Sequence, residues 1–194
     1  WPNCSKYGQV AISWAAIEGY ECQESEIPEC LEEGPVWADK VQSVTQGTLY
    51  NGNTITDPTR IDPQESLREP DGNFYSLGMS GEIILDFYYY IPNILGEDLS
   101  IHEITWNRTS DIEETAEVWV KNDYTNWVYL GKVSSFADGN GDSIRDGINY
   151  FDLSDIKLPW INSVKLVESS VGQAGYDDGF DLDAVDALYR VCDE

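Results

Sequence analysis

The acidic run at residues 178–183 is the segment whose residue types and spacing could most readily do chemistry. It reads Asp178-Gly179-Phe180-Asp181-Leu182-Asp183. On a strand, Asp181 and Asp183 point to the same face and lie about 6.6 Å apart, at ~3.3 Å per residue. Carboxylates this close repel one another unless a cation lies between them, and Ca²⁺ takes six to eight oxygen ligands. The run therefore predicts a calcium site; the alternative is a solvated acidic edge that discourages strand pairing.

A second candidate calcium loop lies between residues 138 and 146. Oxygen-bearing side chains stand at the first, third, fifth and ninth positions of this loop, namely Asp138, Asn140, Asp142 and Asp146. Two positions depart from a calcium loop, because Ser143 stands where glycine is wanted and Asn149 where a bidentate glutamate belongs. The alternative is a glycine- and aspartate-rich connection selected for its turn geometry.

Catalytic chemistry has little support in the sequence. His102 is the single histidine, and it lies in an apparent strand at residues 101–104. The chain contains no Gly-x-Ser-x-Gly nucleophile elbow. A pair of carboxylates suited to glycoside hydrolysis could be found anywhere among the 36 acidic residues, so its presence decides nothing. We therefore predict a protein that is not an enzyme.

Aromatic side chains are the feature that a sugar-binding protein would use. Sugar rings pack on tryptophan and tyrosine faces, while acidic groups bind their hydroxyls. The candidates are Trp106, Trp119, Trp127, Trp160 and the run Tyr88-Tyr89-Tyr90. The competing interpretation is that strand aromatics belong to the core or to cross-strand pairs, as Trp119 between two valines suggests.

Composition and charge narrow the possible partners. The chain has 194 residues and a formal net charge of −25, from 36 acidic against 11 basic side chains. Nucleic acid and anionic membrane surfaces are poor partners for such a surface, which attracts cations instead. No apolar run approaches the roughly 18 residues of a membrane span. The length fits one domain with an appended arm.

The four cysteines, Cys4, Cys22, Cys30 and Cys192, suggest disulfides, because no CxxC pair is present for a zinc site. Of the three connectivities, the sequence favours Cys22 with Cys30 and Cys4 with Cys192. Disulfides imply a secreted, extracellular protein. The chain begins at Trp1, without a methionine or a basic leader segment, so we expect that a signal peptide, if there was one, has been removed. Sequons at Asn3 and Asn107 would permit glycosylation there.

The sequence pattern predicts that short β-strands, separated by turn residues, position the acidic and aromatic side chains. They are expected at 41–50, 74–77, 82–91, 99–106, 116–121, 127–133, 148–153, 164–167 and 180–188, with Ile83, Leu85 and Phe87 on one face. This spacing predicts an all-β sandwich at residues 35–194, with few helices. Residues 1–34 are expected to form an amino-terminal strand, apolar on both faces at 9–17, followed by an acidic disulfide loop.

The order of the motifs resembles a family of secreted and cell-surface prokaryotic domains with a galactose-binding-like, jelly-roll β-sandwich fold. The resemblance spans residues 36–188. The motifs that carry it are Ala38-Asp39, the run 62–72, 76–78 with 81–83, Glu97-Asp98-Leu99 with Glu103, 117–120, Trp127 with 130–131, 151–153, 164–167 and, most specifically, Asp178 to Val185. It implies a structural calcium ion, with Asp39, Asp98 and Glu103 as further ligands, and a non-catalytic, extracellular role.

Two functions follow as expectations. The first is a calcium-stabilised structural subunit of a cell-surface or filamentous assembly, in which residues 9–17 dock on a neighbouring copy by strand addition. The apolar strand could equally complete the sheet of its own domain. The second is a calcium-dependent carbohydrate-binding or adhesion module, which the implied fold permits by analogy.

Overall fold

The computed structural model describes residues 31–104, 113–139, 141, 145–171 and 178–191. These residues form ten β-strands and two short 3₁₀ helices, at Pro63–Ser66 and Leu153–Asp155, and they contain no α-helix. The predicted all-β sandwich is confirmed: two antiparallel sheets pack face to face. No helix in the described ranges is long and apolar enough to cross a membrane.

The first sheet has the strand order β1-β10-β5-β8, and β3 also pairs with β10. Its strands are β1 (Leu31–Trp37), β3 (Tyr75–Ser76), β5 (Leu99–Glu103), β8 (Ile148–Phe151) and β10 (Asp181–Val191). A bulge interrupts the register of β10 with β5 between Leu182 and Ala184. Because a bulge adds one unopposed residue, the alternation of side chains along β10 changes at this point.

The second sheet has the strand order β2-β4-β9-β6-β7. Its strands are β2 (Lys40–Thr45), β4 (Glu82–Pro92), β6 (Thr115–Lys121), β7 (Val128–Ser134) and β9 (Trp160–Glu168). Glu82 faces Val167 at one end of the β4–β9 pair, and Pro92 faces Trp160 at the other. β6 runs between the same two ends, a length of about 20 Å at ~3.3 Å per residue.

The core lies between the two sheets and follows from alternation along the strands. Ile83, Leu85 and Phe87 of β4 are all buried, as predicted. Val118 and Val120 of β6 have no exposed surface, so Trp119 between them points outward. This outward position removes the interpretation of Trp119 as a core residue.

The strand β1 crosses the expected boundary between residues 34 and 35 and belongs to the sandwich. It includes Gly34 and Pro35, two residue types that are unfavourable inside a strand. A register shift between Glu33 and Val36 accommodates them, and β1 is the edge of the described sheet, where proline is tolerated. Residues 1–30 of the expected arm lie outside the described residues.

Candidate functional site

Three buried carboxylates meet at one end of the sandwich and form the acidic cluster, Glu103, Glu114 and Asp181. Glu103 ends β5, Glu114 immediately precedes β6, and Asp181 begins β10. Each of them offers an oxygen that lies within 4.8 Å of the oxygens of the other two. All three are nearly inaccessible, with 3%, 7% and 1% of their surface exposed, respectively.

The acidic cluster fits a calcium ion in its chemistry. Its donors are hard carboxylate oxygens, and two ligands on opposite sides of a Ca²⁺ ion are separated by roughly 4.6–5.2 Å. The mutual separation of the three oxygens, within 4.8 Å, is therefore compatible with coordination of one ion. Burying three like charges together costs free energy, and a divalent cation would offset that cost.

Asp181 is also held by protein groups. Its Oδ1 accepts a hydrogen bond from the hydroxyl of Ser76 at 2.5 Å, and its Oδ2 lies 3.5 Å from Nη1 of Arg60. The same Nη1 lies 2.6 Å from Oδ2 of Asp178. Arg60 thus links Asp178 to the edge of the acidic cluster and supplies one positive charge there. Burial opposes that charge, but the two carboxylates raise the pKa of Arg60 overall.

Asp183 does not share the acidic cluster, although the alternation expected along a strand places it beside Asp181. Its carboxylate accepts hydrogen bonds from the backbone N–H groups of Asp71 and Gly72, both at 3.3 Å. The bulge between Leu182 and Ala184 separates the two aspartates. Burial raises the pKa of Asp183, whereas the two amides act to lower it. Its role in the structure is to close the turn at residues 70–73.

Asp98 and Asp39, expected as further ligands, also lie apart from the acidic cluster. The buried carboxylate of Asp98 accepts hydrogen bonds from the N–H groups of Ile94 at 3.1 Å and Leu153 at 2.9 Å. Asp39 is exposed, and its Oδ2 accepts from the N–H of Tyr88 at 2.6 Å. Both carboxylates thus bind backbone amides, so Glu103 is the one of the three family-implied ligands that the structure brings to Asp181.

The loop at residues 138–146 is described only in part, because Asn140 and Asp142 lie outside the described residues. Asp146 accepts hydrogen bonds from the N–H groups of Gly139 at 2.9 Å and Ile148 at 3.0 Å through the same oxygen. Its carboxylate therefore organises the turn into β8, while Asp138 is half-buried at the other end of the loop. The contacts of Asp146 agree with the turn interpretation, and a bound ion in this loop stays a prediction.

Glu114 is the member of the acidic cluster that sequence reasoning missed. The available signal was its place directly before the apolar strand at residues 115–120. Strands β5, β6 and β10 each reach the same end of the sandwich beside this residue. Strand pairing in the two sheets brings these three carboxylates together, and that pairing cannot be predicted from a single sequence.

His102 forms a polar group with Ser100 and Asp186 on the first sheet. Nε2 of His102 lies 2.9 Å from the hydroxyl of Ser100 and 2.8 Å from Oδ1 of Asp186, and that hydroxyl also donates to Asp186. Serine and aspartate thus contact the same ring nitrogen. A serine–histidine–aspartate relay needs them on opposite nitrogens, so this group lacks the geometry of that relay.

The aromatic cluster at the opposite end of the sandwich consists of Tyr90, Tyr124 and Trp160. Trp160 begins β9, Tyr90 is near the end of β4, and Tyr124 lies in the turn after β6. The Tyr90 and Trp160 ring centroids are 4.3 Å apart, and those of Tyr124 and Trp160 are 6.1 Å apart at 84°. Tyr124 is 87% exposed and Tyr90 is 46% exposed. The cluster therefore offers aromatic surface to solvent.

The buried side chain of Asn122 fixes the turn that carries Tyr124. Its Oδ1 accepts a hydrogen bond from the N–H of Tyr124 at 3.0 Å, and its Nδ2 donates to the carbonyl of Trp160 at 3.3 Å. The N–H of Asn122 donates to the hydroxyl of Thr125 at 3.2 Å. One amide side chain therefore sets the position of Tyr124 relative to the strand that begins with Trp160.

Polar groups stand beside the aromatic cluster. Nδ2 of Asn162 on β9 donates to Oδ1 of Asp123 at 2.8 Å. Asp123 is exposed and adjoins Tyr124 in the turn. Aromatic rings with a few fixed amide and carboxylate groups are the residue types that line small-molecule binding sites.

The other aromatic candidates divide among three locations. Trp119 and Trp127 lie on the outer face of the second sheet, near Lys165. Tyr88 and Tyr89 form an edge-to-face pair with centroids 5.1 Å apart. Trp106 lies outside the described residues, as do all four cysteines, the sequon asparagines Asn3 and Asn107, and the expected docking segment at 9–17.

Comparison with known proteins supports the fold. No protein-family model and no curated protein matches this chain. Among solved structures, it is similar to the C-terminal domain of a chitobiase from Bacteroides fragilis, with a TM-score of 0.50 and 16% identity over 81% of this chain and 95% of that domain. It also aligns with CBM32-3 from a family 31 glycoside hydrolase of Clostridium perfringens, with a TM-score of 0.46 and 9% identity over 81% and 90%.

Proposed function

We propose that the protein is a non-catalytic carbohydrate-binding module whose ligand site is the aromatic cluster. The observation that carries the proposal is the exposed surface of Tyr90 and Tyr124 around Trp160. The C–H faces of a sugar ring are apolar and pack on aromatic rings, while its hydroxyls need polar partners such as the neighbouring Asp123, which Asn162 holds in place. The structurally similar domain is part of a chitobiase, and we extend that saccharide context to this chain.

The fixed backbone of the turn that carries Tyr124 supports this function. The backbone N–H of Tyr124 donates to Asn122, a residue that is only 4% exposed. A turn held in one conformation loses little conformational entropy when a ligand binds, which favours affinity. The interpretation as a structural subunit rests on residues 9–17, which lie outside the described residues. The contacts that the structure does describe favour carbohydrate binding.

We further propose that Ca²⁺ bound by Glu103, Glu114 and Asp181 stabilises the module, and that the protein acts outside the cell. The aromatic and acidic clusters lie at opposite ends of β6 and β9, because Lys121 and Trp160 are at one end while Thr115 and Glu168 are at the other. At that separation the ion would stiffen the fold without contacting the sugar.

The binding proposal is tested with a glycan array followed by calorimetric titration of the best neutral oligosaccharide. Tyr124→Ala should weaken binding about tenfold or more, equivalent to ~1.4 kcal/mol. The matched control is Tyr50→Ala, because Tyr50 is also an exposed tyrosine, at 53%. It follows β2, which ends beside Glu82, at the end of the second sheet away from Trp160. Both variants should keep the melting temperature of the native chain. An array without any bound glycan, or equal affinity loss in the two variants, would overturn the proposal.

A further inference from the structure

The outer surface of the second sheet carries a second group of aromatic residues, which we name the Lys–Trp face: Trp119, Lys121, Trp127, Tyr129 and Lys165. Trp119 is paired with Lys165 on one neighbouring strand and with Tyr129 on the other, so the three side chains form one row. Tyr129 is 47% exposed. The row therefore presents an aromatic surface to solvent.

The two lysines are held in place by the rings. Nζ of Lys165 lies 5.4 Å from the ring centroid of Trp119 and 5.2 Å from that of Trp127, and Nζ of Lys121 lies 5.0 Å from Trp127. At such distances an ammonium group is attracted to the aromatic face. Lys165 has a loose ion pair with Glu82 at 3.8 Å, and no described carboxylate forms an ion pair with Lys121.

The balance of charge on this face differs from that of the whole chain. The chain has 36 acidic against 11 basic residues. Four lysines lie on or border this face, against three bordering carboxylates: Lys40 beside Asp86, Lys132 beside Glu117, and Lys121 and Lys165, with Glu82 as the third carboxylate. Because the screening length is about 8 Å at physiological ionic strength, these nearby charges decide what an approaching ligand encounters.

The Lys–Trp face adjoins the aromatic cluster. Trp160 and Lys165 lie on β9, five residues apart, which is about 16 Å at ~3.3 Å per residue. Strict alternation would place them on opposite faces, but the consecutive buried residues Ser163 and Val164 break the alternation, so both Trp160 and Lys165 are partly exposed. Lys121 ends β6 and leads directly into the turn that carries Tyr124. A ligand that crosses both surfaces would meet aromatic rings along its length and fixed ammonium groups partway along.

We infer that the binding surface extends from Trp160 over the Lys–Trp face and takes an acidic oligosaccharide, of the uronic-acid class. The sugar rings would stack along the aromatic strip, and their carboxylates would pair with Lys121 and Lys165. This inference rests on the proposed function, because it names the ligand class of the same, longer site.

The test compares a uronic-acid oligosaccharide with its carboxyl-reduced, neutral counterpart, which has the same sugar rings and length. The native chain should bind the acidic form at least tenfold more tightly in low salt, and the preference should shrink as salt is added. Lys121→Met and Lys165→Met should each reduce the preference at least threefold, since they remove the charge and keep an apolar stem.

Lys40→Met is the matched control. Lys40 is 66% exposed on β2 of the same sheet, three strands from Lys121, or about 14 Å at ~4.8 Å per strand. It removes the same charge and should leave the preference unchanged. Equal affinity of the native chain for the acidic and neutral forms would overturn the inference and leave the proposed function in place. The same conclusion would follow if Lys40→Met reduced the preference as much as Lys121→Met and Lys165→Met do. If the native chain binds neither form, the inference is also overturned. The glycan array and Tyr124→Ala test the proposed function independently of this result.

Discussion

Asp98 and Leu153 are joined by a buried hydrogen bond, in which Oδ2 of Asp98 accepts from the N–H of Leu153 at 2.9 Å. Through its other oxygen Asp98 binds the N–H of Ile94, so one carboxylate connects the loop after β4 to the 3₁₀ helix that begins at Leu153. Burial, which outweighs these two hydrogen bonds, raises the pKa of Asp98 to about 6.

The raised pKa makes the contribution of Asp98 to stability dependent on pH. The folded state binds this proton more tightly than the unfolded chain, in which the carboxyl group has its ordinary pKa of 3.8. The stabilising contribution of the protonated group is therefore complete below about pH 4 and is lost as the pH rises through about 6. A shift of this size corresponds to a contribution on the order of 3 kcal/mol.

Urea unfolding of the native chain and Asp98→Asn between pH 4 and 7 checks this relationship. The asparagine variant loses one acceptor but no longer titrates, so the difference in unfolding free energy between the two proteins should grow in favour of the native chain as the pH falls. A difference that stays constant across this range would show that Asp98 does not titrate there.

Replacing Tyr75 by phenylalanine should stabilise the protein. Tyr75 is 1% exposed, its hydroxyl has no hydrogen-bond partner within the described part of the chain, and burial raises its pKa to about 12. Removing an unpaired buried hydroxyl recovers about 1 kcal/mol, or roughly 2–4 °C in melting temperature for a domain of this size. Tyr88→Phe, at a residue 77% exposed, should change nothing. A destabilised Tyr75→Phe variant would reveal a partner for that hydroxyl.

Asn122→Asp should weaken sugar binding, although residue 122 is not expected to contact the sugar. The aspartate keeps an acceptor for the N–H of Tyr124 but loses the donor to the carbonyl of Trp160 and places a carboxylate beside that oxygen. We expect affinity to fall about fivefold and stability by ~1–2 kcal/mol. Asn126→Asp makes the same chemical change at an exposed residue of the same loop. Calorimetric titration and thermal unfolding of both variants check this, and equal effects would argue against a positioning role for Asn122.

Removal of divalent ions should lower the melting temperature of the native chain. A site at a hundredfold excess of calcium over its dissociation constant contributes about 2.7 kcal/mol, which is roughly 5–10 °C for a domain of this size. Glu114→Gln should melt below the native chain in calcium but at or above it in chelator, because one of three buried like charges is gone. Asp39→Asn, at an exposed aspartate away from the cluster, should respond to chelator as the native chain does. An unchanged native melting temperature in chelator would refute the site.

The sequence predicts the strands well where their side chains alternate and poorly where a local irregularity intervenes. Ile83, Leu85 and Phe87 identify β4 and its core face because a period of two needs no knowledge of the partner strand. β1 escapes prediction because Gly34 and Pro35 interrupt it. In the acidic run, Asp181 lies where expected, but the bulge after Leu182 sends Asp183 to the amides of residues 71 and 72.

Two residues of the aromatic cluster could be predicted by residue type, whereas Tyr124 was missed and the meeting of the three could not be predicted. Trp160 and Tyr90 stand among the aromatic candidates, yet nothing in their local sequence distinguishes them from Trp119. Their meeting with Tyr124 depends on the β4–β9 register, in which Pro92 faces Trp160, and on the turn held by Asn122. Long-range pairing of this kind is a property of the folded topology.

The place of β10 in the first sheet also sets an order of events during synthesis. β10 is the last described strand, yet it lies between β1 and β5 and pairs with β3 as well. All five strands of the second sheet, by contrast, are complete once β9 ends at Glu168. Until residues 181–191 arrive, the first sheet lacks the strand that joins β1 and β3 to β5, so the apolar face of the second sheet is incompletely covered and the nascent chain is prone to associate with its neighbours.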